Sequence, residues 1–144
     1  MATYTFPVSG NVLARSTAIT PEFLLPDFYN PQIWASGASG LTPYAVSGVV
    51  TGGFADGVSD GNGGMWVVGN SGFIADVTAS GAVISSFVTP VNTAFTGIAL
   101  SSGGVAYAMS SNGTIYAASG SSATALSPSF DTLCRGLIAS GSTL

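Results

Sequence analysis

Histidine and lysine are both missing from the 144-residue sequence, and Arg15 and Arg135 are its only fixed cations. Without histidine no Ser–His or Cys–His nucleophile can be assembled, and zinc loses its commonest nitrogen ligand. Without lysine no glycine run can serve as a phosphate loop. Two cations against six acids give a net charge of −4, so there is no basic patch for nucleic acid or for anionic lipid headgroups. Charged residues make up 6 % of the chain, where soluble domains carry about a quarter. A surface so weakly charged gains little from self-repulsion, and packing into a larger assembly is its natural outcome.

Other absences narrow the class further. No run approaches the roughly eighteen apolar residues of a membrane span, because Gly, Ser, Thr and Pro interrupt each one. The opening MATYTFPVSGNVLARS has neither the basic nor the apolar region of a secretory signal. The single cysteine, Cys134, sits in the apolar context DTLCRGLIA and reads as a buried core thiol; the neighbouring Arg135 is the one feature in favour of reactivity. Apolar residues do not recur at helical spacing for even three turns.

What is present is β-forming sequence cut into short pieces. Hydrophobic residues reach 47 % and glycine occupies 20 positions, which excludes disorder and points to strands joined by tight turns. Residues 1–50 form one unit, holding five of the seven prolines and the piece PEFLLPDFYNPQIW. Proline removes a ladder donor, so this unit is expected as an extended arm or edge strand. Its Phe23, Leu25, Phe28, Tyr29 and Trp34 carry enough apolar surface to need a partner, either the body of the same domain or a neighbouring protein.

From residue 51 to 144 the sequence repeats. Shifted by 41 residues, Trp66 falls on Tyr107, Gly72 on Gly113 and Ile74 on Ile115; a one-residue gap then places Gly57 and Val58 on Gly97 and Ile98. The copies run over about 51–91 and 92–131, and a partial third, 132–144, opens with CRGLIASGSTL. The spacing predicts four strands per copy: one around 57–59, then 65–69, 72–77 and 82–87, and in the second copy 97–100, 105–110, 113–119 and 123–126. Asn-Gly and Ser-Gly pairs supply the positive φ of the hairpins between them. A period near forty with four short apolar runs is the pattern of a β-propeller blade.

The run DGNGGMWVVGNSGFIADVTASGAVISSF, through Asp60, Gly61, Trp66, Gly72, Ile74, Gly81, Val83 and Phe87, resembles a blade of the NHL-like and streptogramin-lyase-like propellers. The second copy keeps Gly104, Tyr107, Gly113, Ile115 and Tyr116 and loses the Asp. The resemblance implies an all-β, propeller-like array of tandem four-stranded repeats behind the Pro/aromatic-rich arm. A closed ring needs about four to eight blades, so the array is expected to be incomplete. Either the chain continues in a longer protein, the favoured alternative, or other subunits complete it. Enzymes of that group use His, Glu or a metal, and this chain has only Glu22, within the arm.

Candidate chemistry is sparse. Asp56, Asp60 and Asn62 do not fit an EF-hand, since Val58 and Val67 stand where oxygen ligands belong; an Asp-Gly/Asn-Gly turn accounts for them. Asp56, Asp60 and Asp76 could supply a pair of carboxylates for sugar hydrolysis. Trp66 and Tyr107 could line up to stack a sugar, but blade packing is the better account of them. The expectation is therefore a non-enzymatic virion component without cofactor or metal, resembling phage tail, neck or fibre proteins in composition. Its partners would be other virion subunits, further copies of itself and a host-surface glycan or receptor. The alternative is a secreted or cell-surface carbohydrate-binding propeller.

Overall fold

The computed structural model describes residues 23–48, 52–89, 93–119, 122–126 and 137–138. Cys134, both arginines, Glu22 and most of the third copy lie outside them. Eleven strands form three antiparallel sheets, and no helix occurs among the described residues. The first sheet holds β1 (Leu24–Pro26), β2 (Gln32–Gly37) and β3 (Gly40–Ala45). The second holds β4 (Phe54–Ser59), β5 (Met65–Gly69), β6 (Phe73–Val77) and β7 (Val83–Val88). The third holds β8 (Phe95–Leu100), β9 (Ala106–Ser110), β10 (Ile115–Ser119) and β11 (Ser122–Leu126). Each is a meander in sequence order. These are propeller-like repeats, and the strands of both copies fall within two residues of their expected limits except at the start of β4.

Side chains alternate across each strand, so every sheet offers two faces. Leu24, Ile33 and Tyr44 of the first sheet pack with Met65, Val67, Phe73, Ala75 and Val77 of the second, around Phe54. Trp66, Val68, Ile74 and Phe87, on the opposite face of the second sheet, pack with Ile98, Ala106, Ala108, Tyr116 and Ala118 of the third, around Phe95. The forward face of one sheet thus covers the backward face of the next, twice over. Both layers carry an edge-to-face ring pair: Phe54 with Phe73 at 5.6 Å and Phe95 with Tyr116 at 5.7 Å. Phe54 and Phe95 are 41 residues apart.

Strand register extends the repeat and corrects one alignment. Asp56 pairs with Val68 and Gly97 with Met109, each beside a bulge, so the 41-residue shift holds along the whole inner strand with no gap. Ile33, Ile74 and Ile115 occupy one structural position in the three sheets, each flanked by equivalent partners on both sides. The Pro/aromatic-rich segment is indeed extended, and it lies against the body of its own domain. Its residues 24–45 match the second to fourth strands of a repeat, and β1 packs beside β4 as β5 packs beside β8. Among the described residues the first sheet has no counterpart of β4 or β8, the inner strands that pack on each other.

Hairpin glycines meet the expected geometry: Gly72 and Gly113 take φ of 75° and 85° in equivalent turns. Trp66 is 5 % exposed inside the second layer, and Tyr107 stands at the same register position on the forward face of the third sheet. That is the packing role expected of Trp66, and it removes Trp66 from any sugar-stacking row.

Candidate functional site

The expected partner-binding residues do not all share one surface. Leu25 and Trp34 are cross-strand neighbours on the backward face of the first sheet, continued by Pro43. Phe28 and Tyr29 sit in the β1–β2 turn, 56 % and 84 % exposed, with ring centroids 5.3 Å apart in an edge-to-face pair. Phe23 enters β1 held by Ser36, whose Oγ accepts from its amide at 2.9 Å. Together with Leu24 and Met65 it borders a cleft of about 290 Å³ between β1 and the β4–β5 hairpin.

Asp27 organises the aromatic end. Its Oδ1 accepts from the amides of Tyr29 at 2.9 Å and Asn30 at 3.0 Å, and its Oδ2 from Gln32 Nε2 at 2.7 Å and Trp34 Nε1 at 3.1 Å. The indole bond, then the Gln32 bond and the two amides, hold this carboxyl well below the usual range. The turn is also locked from below. A Cβ on Gly53 would stand 1.9 Å from the Phe28 carbonyl oxygen, so only glycine lets β4 begin there, and the Phe54 amide donates to the Asp27 carbonyl at 2.7 Å.

The three aspartates of the second repeat divide their work. Asp56 is structural: its Oδ2 accepts from the Ile98 amide of the third sheet at 3.1 Å. Asp60 closes the β4–β5 turn, its Oδ1 accepting from the amides of Asn62 at 2.7 Å and Gly64 at 2.9 Å. This is the Asp-Gly/Asn-Gly turn expected from the sequence. Asp76 lies near Asp60 on the forward face of the second sheet, paired across strands with Trp66. Its Oδ1 is shut off from solvent with no hydrogen-bond partner. Desolvation first, and the charge of Asp60 second, raise its pKa from 3.8 to about 6. The equivalent residues in the first and third sheets are Ala35 and Ala117. A carboxyl kept where the repeat otherwise has alanine, and poised near neutrality, can give and take protons in acid–base chemistry. No group of three or more potential metal ligands occurs among the described residues.

No protein family and no curated protein is matched by the sequence. Among solved structures, the chain is similar to selenomethionine-substituted virginiamycin B lyase from Staphylococcus aureus, with a TM-score of 0.67 and 18 % identity over 79 % of this chain. The match spans 40 % of that chain's length. At this identity the likeness establishes the β-propeller fold. The expectation of a non-enzymatic protein is corrected on this finding, because the similar structure is that of an enzyme, a lyase. Counting His, Glu and metal ligands excluded only the chemistries that need them, and two adjacent aspartates are not among those.

Proposed function

We propose that this chain is an assembly and attachment component of a virion, of the phage tail, neck or fibre type. It docks on a neighbouring subunit through Leu25, Phe28, Tyr29 and Trp34, with Phe23 at the margin, and turns the hairpin loops of its sheets toward other subunits or a host-surface glycan. The carrying observation is the rigid exposed aromatic end: two rings in edge contact on a turn pinned by Asp27 and Gly53, beside a sheet face free of lysine and arginine. Exposed apolar surface on an otherwise well-covered domain marks an interaction site, and preorganisation lowers the entropy lost on docking. Peptides of this chain should be recovered from purified particles produced by the genome that encodes it, and antibodies against the Asn70–Gly72 hairpin should decorate those particles. Recovery solely from the soluble fraction of the producing cells refutes the reading.

A second reading is supported by Asp76. Its raised pKa next to Asp60 suits a general acid or base of a lyase-like reaction. Turnover of a lyase substrate that falls at least about a hundredfold in Asp76→Asn, in line with the usual weight of acid–base catalysis, would establish it. Turnover unchanged by that substitution would dismiss it.

A further inference from the structure

We infer that the free edge of β7 is a strand-pairing surface whose occupant is the β7 of a second copy of this chain, antiparallel about a two-fold axis at Ser86. β7 is the last strand of the second sheet and pairs with β6 on one side only. Its sequence, VISSFV, is rich in β-forming residues and has neither charge nor proline. The chain carries no charged side chain anywhere from Val77 to Phe130, so two copies meet here without like-charge repulsion. Ile84, Ser86 and Val88 alternate along the strand as its exposed residues, with Ile84 at 60 % and Val88 at 61 % exposure. Such edges are ordinarily defended by proline, lysine or a bulge. β3, the outer strand of the first sheet, contains Pro43. β7 has a bulge at its start, opposite Val77, beyond which its pairing from Ser85 to Val88 is regular.

Hydrogen-bond phase selects the register. The Thr89 amide donates to the Gly72 carbonyl at 2.8 Å. Val88 and Ser86, opposite Phe73 and Ala75, are therefore the non-bonded positions of the β6–β7 ladder and turn their own N–H and C=O groups to the open edge. A row of this kind is a template for another strand. Residues directly opposite in an antiparallel pair share a face, so two identical strands related by a two-fold axis pair about one common residue. With the axis at Ser86, the Ser86 N–H of each copy donates to the Ser86 carbonyl of the other, and Ile84 stands opposite Val88 at both ends. Small hydroxyls then meet at the centre, and the two exposed apolar side chains gain cross-strand partners. An axis one residue earlier would set Val88 against Ala82, outside the strand. The contact is isologous and closes at two copies. It uses none of Leu25, Phe28, Tyr29 and Trp34, and so it stands or falls apart from the docking reading above.

The test is analytical ultracentrifugation of the purified chain over a dilution series, with no other protein present. The parent chain should pass from monomer to dimer and stop there. Ser86→Pro removes an outward donor without touching the ladder to β6, and should weaken the dimer at least about tenfold. Ser86→Ala keeps the main-chain bonds and should leave the dimer nearly unchanged. Ile84→Glu and Val88→Lys should each weaken self-association, and a mixture of the two should favour the mixed dimer, where opposite charges face each other across the edge. Both of those positions are more than half exposed, so the charged pair decides the matter if circular dichroism shows Ser86→Pro to be unfolded. A monomeric parent chain, or association that grows beyond two copies, overturns the inference. So does a folded Ser86→Pro variant that still dimerises, a dimer as sensitive to Ser86→Ala as to Ser86→Pro, or charged variants that show no preference for each other.

Discussion

Replacing Asp76 with alanine should make the protein more stable near neutral pH and leave it almost unchanged in mild acid. The carboxyl titrates at 3.8 when unconstrained and at about 6 in the fold. Between those values the folded chain holds more protons than the unfolded one, so its stability falls as pH rises through the interval. The penalty is absent below the lower value and complete above the upper one. The full interval corresponds to at most about 3 kcal/mol; solvent screening around a half-exposed carboxylate reduces that to about 1 kcal/mol. For a chain of this size that is a rise in Tm of roughly 3–4 °C. Alanine is the residue at the equivalent positions Ala35 and Ala117, so the backbone accepts it. Thermal unfolding followed by circular dichroism at about pH 4 and about pH 7.5 gives the comparison. A variant that melts lower than the parent at the higher pH, or gains equally at both, refutes the reasoning.

Three further outcomes follow from the packing. Trp66→Ala should lose about 3–5 kcal/mol, the usual range for emptying a buried aromatic site, read as a drop in the denaturant midpoint. Gly53→Ala forces the Phe28 carbonyl away and should lose about 1–3 kcal/mol as overpacked sites do; an unchanged midpoint would mean that the turn yields freely. Asp27→Asn should lower Tm at neutral pH and shift Trp34 emission to the red. Because the fold depresses this carboxyl, the stabilisation it provides is full above the usual carboxylate range near 4 and is lost as pH falls below it. A parent chain whose stability is flat through that descent contradicts the hydrogen-bond assignment.

Much of this architecture could be read from the chain because turns and strands were both locally encoded. Asn-Gly and Ser-Gly pairs fixed the hairpins, and MWVVG is β5 to the residue. The first sheet was harder to see. Pro26 and Pro43 suggest edges rather than a blade, and they do lie in strands with one described neighbour each, where a missing donor is tolerated. One extra residue between Pro26 and Ile33 also breaks the period that Ile33, Ile74 and Ile115 keep. The acid pair was half legible. Asp56, Asp60 and Asp76 are visible as carboxylates, but only strand register decides that Asp56 turns to Ile98 while Asp60 and Asp76 meet. Desolvation of Asp76 depends on burial in the assembled fold, a tertiary event with no local signal.

Among the described residues the Asp56–Ile98 bond has no twin. Its position in the third sheet is taken by Gly97, and beside the apolar layer around Phe54 the first and second sheets are joined by the bond from the Phe54 amide to the Asp27 carbonyl, with no side-chain clasp among the described residues. In a linear array whose cohesion is a sum over junctions, that asymmetry sets an order of rupture. Under tension the first sheet peels away while the second and third leave as a clasped pair. The Phe28–Tyr29 turn would then be carried off before the hairpins of the second and third sheets lose their shape.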